Sequence, residues 1–205
     1  MDTKPQKRSP KEQEDLDTRL IDAADHGDTK AVQTLLAAGA NVHENDDCAL
    51  RLAADAGHTE TVRVLLAAGA DAHAEDDGAL RWAADNGHTE TVNVLFEAGS
   101  DVHAWDAYSL GMAAQNGHAE TVQTLAKHIF APESWRGKSR AEIEAHAEVL
   151  YNKIAHHRWN PIRPERLRQA GIILLDCALC CWEQVRPPPP LGFKISTIPA
   201  QPRPL

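Results

Sequence analysis

From Asp77 to Ser100 the chain reads D-G-A-L-R-W-A-A-D-N-G-H-T-E-T-V-N-V-L-F-E-A-G-S. Thirty residues upstream, Asp47 opens D-C-A-L-R-L-A-A-D-A-G-H-T-E-T-V-R-V-L-L-A-A-G-A; thirty downstream, Ala107 opens A-Y-S-L-G-M-A-A-Q-N-G-H-A-E-T-V-Q-T-L. A looser first copy, T-R-L-I-D-A-A-D-H-G-D-T-K-A-V-Q-T-L-L-A-A-G-A, begins at Thr18. Gly27, Gly57, Gly87 and Gly117 share one register, and Gly39, Gly69 and Gly99 another. A fixed period of this size marks a stacked array of small units.

Within a unit the residues spell two helices. Asp47 or Asp77 suits the N-cap of the first, whose open N–H groups need acceptors. Leu80, Ala83 and Ala84 lie on one side at helical spacing. Gly87 ends that helix, and Thr89 is expected to cap a second one that buries Val92, Leu95 and Phe96 before Gly99 stops it. Helices of about ten residues are marginal alone. Each must bury its apolar stripe on the neighbouring unit, so stability is a sum of unit and interface contributions.

The pattern A-L-R-x-A-A-x-x-G-H-x-E-x-V-x-x-L-x-x-x-G-A-D-x-x-A resembles the ankyrin repeat over roughly Asp17–Phe130. The resemblance implies an all-α, ankyrin-type solenoid of four stacked helix pairs. The common ankyrin unit has ~33 residues and opens with T-P-L-H; here the period is thirty and that tetrapeptide reads Cys48-Ala49-Leu50-Arg51. The shortening falls between Ala70-Asp71 and Leu80, where the family has a β-hairpin finger. Short loops without regular strand are expected there.

Charge divides the chain. Residues 19–130 carry six lysines and arginines against eighteen aspartates and glutamates, a net of −12, whereas residues 131–205 are net +4. Repeats this acidic repel phosphate backbones, so no direct nucleic-acid binding through them is expected, and a basic protein partner is favoured. Three of the four cysteines cluster in Cys177–Cys181, which is not the spacing of a secreted disulfide framework. The longest apolar run, Gly171–Trp182, is too short to span a bilayer. No membrane association and a reduced, cytoplasmic setting are expected.

The expected domain plan is a disordered N-terminus over residues 1–15, the array over 16–130, a C-terminal helical region over 131–186 and a proline-rich tail over 187–205. Ser139-Arg-Ala-Glu142 reads as a capping box. The helix it opens carries Ile143, Ala147, Leu150 and Ile154 along one face. Pro164 suits the first position of a further helix reaching about Val185. That helix turns apolar on nearly all sides at Ile172–Trp182, and a helix of that kind is buried or shared between chains. No family resemblance covers residues 132–205.

His58, His88 and His118 follow the glycine that ends each first helix, and His43, His73 and His103 follow the second helix. Equivalent residues of stacked units sit ~8–10 Å apart, too far for one zinc whose nitrogens lie within ~2.1 Å. No metal is expected; the imidazoles should bond loop backbone between units, and as acceptors they would make the array pH-sensitive. Cys177-x-x-Cys180-Cys181 lies in an apolar helix and is better read as packing. No catalytic motif is present, and neither an enzymatic function nor a cofactor is expected.

In the ankyrin family the two positions before the helix-ending glycine face a concave groove and often contact partners. The resemblance therefore implies Asp55, Asp85, Asn86, Gln115 and Asn116 as contacts. Trp105 and Tyr108 stand beside the final loop, Trp105 where earlier units have Asn45 and Glu75. Trp82 is equivalent to Leu52 and Met112; it serves equally well as packing between first helices or as an interface residue. Asp46, Asp47, Asp76 and Asp77 cluster on one loop edge and would form an electrostatic surface. These residues point to a non-catalytic module that binds a basic protein through an acidic groove and inhibits it by occlusion or tethers it. A scaffold homodimerising through the apolar C-terminal helix is the alternative.

Overall fold

A computed structural model describes residues 9–101, 108–155 and 163–185. Four helix pairs run in chain order: α1 (Pro10–Asp25) with α2 (Thr29–Ala37), α3 (Cys48–Asp55) with α4 (Thr59–Ala67), α5 (Ala74–Asp85) with α6 (Thr89–Glu97), and α7 (Tyr108–Asn116) with α8 (Ala119–Ile129). First helices stack on first helices and second helices on second helices. No strand occurs among the described residues, as the shortened period requires.

The period becomes a core of rungs. Leu20, Leu50, Leu80 and Leu110 are fully buried, as are Val32, Val62 and Val92, with Leu65, Leu95 and Leu125 beside them. Each such side chain contributes roughly 1.5–3 kcal/mol against leaving it in water. Small residues let the first helices approach: Ala53, Ala83 and Ala113 are inaccessible to solvent.

Polar rungs hold the layers in register. The hydroxyl pairs Thr29–Thr61, Thr59–Thr91 and Thr89–Thr121 are each 2.8 Å apart. Thr89, expected as a cap, therefore bonds the next unit; the residue at the N-cap of α6 is His88, with no side-chain cap bond. His58 Nε2 donates to the Asp25 carbonyl at 3.0 Å and His88 Nε2 to that of Asp55 at 2.9 Å. The inter-unit bond to backbone is as expected, but its sense is reversed. A carbonyl can only accept, so the ring donates from Nε2, and protonation of these rings does not remove the bond.

Asp47 and Asp77 also depart from expectation. They are 4 % and 5 % exposed and make no helix-capping bond. Asp47 Oδ1 accepts from the Asp71 backbone N–H, and Asp77 Oδ1 from that of Asp101, both at 2.9 Å. Asp17 does the same for Asn41 at 2.6 Å. Each carboxylate pins the start of the following loop, which withdraws it from the surface. The N-terminal boundary shifts as well. Residues 10–15, placed in a disordered segment, are helical, because Ser9 and Glu12 close a capping box at the start of α1.

Beyond the array, α9 (Pro132–Trp135), α10 (Arg140–Ala155) and α11 (Pro164–Val185) form a fifth layer. The capping box at Ser139 is present, Ser139 N donating to Glu142 at 2.7 Å and Glu142 N to Ser139 Oγ at 3.3 Å. Helix α10 packs on α7 and α11 on α8, continuing both columns. Arg166 lies over Gly117 as His58, His88 and His118 lie over Gly27, Gly57 and Gly87. Its Nη1 donates to the Gln115 carbonyl, the counterpart of the Asp25 and Asp55 carbonyls. The C-terminal helices thus cap the stack as a substitute unit. Trp135 seals the joint, its Nε1 donating to Ile129 O at 2.8 Å and its ring meeting Phe130 and His146. Helix α11 buries Ala170, Leu174, Ala178 and Cys181 along one side, while Ile172 remains 56 % and Leu175 47 % exposed.

Candidate functional site: the loop-side face of the first helices

The loop before α3 and the kinked, non-helical first turn of α5 share an unusual backbone. Asn45, Asp46 and Asp47 have φ of 53°, 54° and 55°, and Glu75, Asp76 and Asp77 have 55°, 54° and 57°. Three successive non-glycine residues in the left-handed region are costly, on the order of 1–2 kcal/mol each. Two features oppose that cost. The third carboxylate of each run is the buried anchor just described. An arginine one turn into the following helix also reaches back. Arg51 donates to the Asp46 carbonyl at 3.2 Å and the Asn45 carbonyl at 3.0 Å; Arg81 donates to the Glu75 carbonyl at 2.8 Å. Asn45, Asp46, Glu75 and Asp76 are left exposed at the tips.

The same arginines cover the aromatic residues. The Arg51 guanidinium lies 5.4 Å from the Trp82 ring centroid and that of Arg81 6.0 Å from the Tyr108 ring, within cation–π range. Trp82 and Tyr108 are half-buried. Trp82 is thus both packed between layers and presented at the surface under an arginine.

At the other end of the first helices, asparagines join successive units. Asn86 Nδ2 donates to Asp55 Oδ1 at 2.7 Å, and Asn116 Nδ2 to Asp85 Oδ1 at 2.6 Å. Burial raises the Asp85 carboxyl above its usual range, against the Asn116 bond that lowers it. Gln115 lies half-buried beside Asn116, its carbonyl taken by Arg166. Asp55, Asn86 and Asn116 are exposed.

Residues 20–106 match the family model for ankyrin repeats, in three copies. This part of the chain carries three ankyrin repeats. The match ends at 106, and the C-terminal region carries no family match. No curated protein matches the chain. Ankyrin repeats indicate a protein–protein interaction module of a generally non-catalytic kind.

The site residues expected from the sequence fall into three groups. Asp46, Asp76, Trp82 and Tyr108 share the loop side of the ankyrin stack with Arg51 and Arg81. Asp55, Asp85, Asn86, Gln115 and Asn116 line the helix ends, largely bonded to one another. Asp47 and Asp77 are structural anchors and leave the surface. Trp105, the first choice from sequence, lies outside the described residues, as do His103 and Asp106. The arginines were the residues missed. Their signal was their identical place four residues after each anchoring aspartate. All four cysteines are free thiols, and among the described residues no group of three or more His, Cys, Asp or Glu is placed to hold a metal ion. No helix among the described residues is long and apolar enough to cross a membrane.

Proposed function

We propose that the chain binds a basic protein partner through the loop-side face, without catalysis, and blocks the surface it covers. The observation that carries this reading is the pair of left-handed loops. They spend backbone energy to present Asp46, Glu75 and Asp76 outward, held by Arg51 and Arg81 beside the half-buried Trp82. A rigid loop loses little entropy on binding, and a carboxylate surface with an aromatic anchor suits a cationic patch. The net −12 of residues 19–130 speeds encounter with such a partner and disfavours nucleic acid.

The test is affinity for partners captured on the intact chain, compared with the variant Asp46→Lys, Glu75→Lys, Asp76→Lys. These residues are exposed, so the fold should survive. Affinity should fall about tenfold or more and become less sensitive to salt. An affinity unchanged by the triple reversal removes the assignment.

A second reading has a separate observation behind it. Ile172 and Leu175 lie one turn apart and exposed on α11, which favours homodimerisation there. Light scattering on the full chain and on Ile172→Glu with Leu175→Glu decides it; a monomeric wild-type chain ends that reading.

A further inference from the structure

A groove runs along the seam between α8 and the C-terminal half of α11, away from the loop-side face. It has a volume of about 480 Å³ and is lined by Phe130, Ile173, Cys177 and Cys181, together with Lys127 and Asp176. That volume falls within the ~300–1,000 Å³ of sites that take apolar ligands. The groove arises because α11 replaces a second helix of the array but is longer. Helix α11 packs along α8, and over its first turns Gln169, Ala170 and Ile173 face Ala119 and Val122 across a small gap. Its later turns also meet α9, and the groove lies between them and α8, with Gln123, Lys127, Phe130 and Pro132 on the side opposite α11.

The chain itself supplies an occupant. Gln184 lines the far end of the groove, and α11 ends at Val185. Residues 186–205 lie outside the described residues and are joined to the chain at that end. Pro187–Pro190 cannot prolong the helix. Next comes Leu191-Gly-Phe193-Lys-Ile195, in which every second residue is large and apolar. In an extended backbone such residues share one side, and Lys194 takes the other. The fifteen residues after Pro190 are ample for a groove bordered by three turns of α11, ~16 Å. Charge agrees: residues 186–205 contain Arg186, Lys194 and Arg203 and no acidic residue, while Asp176 and Glu133 flank Cys177 and Cys181.

We propose that Leu191, Phe193 and Ile195 fill the groove between α8 and α11, so that the C-terminal segment folds back over the cysteine-bearing face of the cap. This is independent of the loop-side reading, since the two surfaces share no residue. The thiols report on it. Burial pushes the Cys177 and Cys181 thiols up, which slows alkylation equally in every variant at fixed pH, so differences between variants measure cover.

The experiment uses the full chain with Cys48→Ser. Alkylation of Cys177 and Cys180 by N-ethylmaleimide is followed by peptide mass spectrometry, in this background and with Leu191→Asp, Phe193→Asp and Ile195→Asp added. Burying one large apolar side chain shifts an equilibrium by about tenfold or more, so the triple variant should label about tenfold faster, with its thermal midpoint lowered by only a few degrees, as the loss of a docked segment from an intact fold requires. Equal rates overturn the proposal. Protection that vanishes on dilution also overturns it, because a second copy would then be the cover. A photoreactive benzoylphenylalanine at position 193 gives an independent readout. Intramolecular crosslinks to residues 123–132 or 173–184 support the proposal, and crosslinks elsewhere refute it.

Discussion

Two glycines with the same backbone sign and different surroundings separate strain from packing. Gly57 has φ +74°, and a Cβ there would sit 2.5 Å from His88 Nδ1. Gly69 has φ +99° and nothing within 4 Å of the same point. Gly69→Ala therefore costs only left-handed strain, on the order of 1 kcal/mol. Gly57→Ala bears that strain and drives the imidazole from its seat. The Nε2 bond to the Asp55 carbonyl at 2.9 Å is lost, worth about 1 kcal/mol, together with ring packing. The expected total is about 2–3 kcal/mol, a fall in Tm of very roughly 4–12 °C for a chain of this size. Gly117→Ala should lie between, because its Cβ would meet Arg166 Nε at 2.9 Å, the end of a flexible side chain that can move. Urea denaturation of the three variants, with His88→Ala and Gly57→Ala/His88→Ala, completes a cycle. On the His88→Ala background, Gly57→Ala should cost only the ~1 kcal/mol of Gly69→Ala. If Gly57→Ala and Gly69→Ala prove equally costly in the wild type, the histidine-in-glycine packing is not what joins the layers.

Three further outcomes follow from the same joints. Thr59→Val leaves the buried Thr91 hydroxyl without its 2.8 Å partner and should cost about 1–3 kcal/mol, most of it recovered in Thr59→Val/Thr91→Val, as read by thermal denaturation. Arg166→Ala removes the bond to the Gln115 carbonyl; hydrogen exchange should speed up over residues 163–170 and at the end of α7 while residues 20–70 keep their protection. Acidification should weaken the protein through His128, whose pKa burial lowers where its ring meets Phe96 at 3.8 Å between centroids. The folded state binds this proton less readily than the unfolded chain, so the contribution is whole above the ordinary histidine value of 6.5 and is lost as pH falls from there toward the lowered folded value. His128→Gln should flatten the Tm–pH curve between pH 7.5 and 5.

The array was legible because its information is periodic. Leu50, Leu80 and Leu110, or Gly57, Gly87 and Gly117, identify one another, and the only use of identical short helices is to stack them. What escaped was the second partner of each polar side chain. Thr89 and Asp77 stand where a capping residue of their own helix would stand, and local rules favour that use. In the stack, each has a partner in the next unit at no cost in chain entropy, because the apolar rungs have already fixed the distance. Arg51 escaped for a related reason: its contacts are the Asn45 and Asp46 carbonyls behind it and Trp82 in the following layer, and no helical or strand period joins those three. Arg166 sits in a helix of unrelated sequence, and only the coordinates reveal that it takes a histidine's place.

The ends of the array obey the same register as its middle. The Thr59 position is Thr29, Thr59, Thr89 and then Ala119; the Thr61 position is Ala31 and then Thr61, Thr91 and Thr121. Three junctions exist between four units, and three hydroxyl pairs serve them. Threonine gives way to alanine at the two places where a hydroxyl would face no partner unit. The histidine position behaves likewise. His58 and His88 donate to the preceding layer. No layer precedes the first unit among the described residues, and it carries Asp28, which caps its own helix by accepting from Ala31 N at 2.9 Å. At the far end the Gln115 carbonyl, which a following histidine would use, goes to Arg166. An open stack of near-identical layers would present complementary ends and invite head-to-tail growth, since a heterologous contact that does not close makes a filament. Here both ends have lost the side chains that would make the next joint, and one is physically covered by α10 and α11. The side chains at both ends therefore stop the joint from repeating, and the free surfaces of the array are its sides.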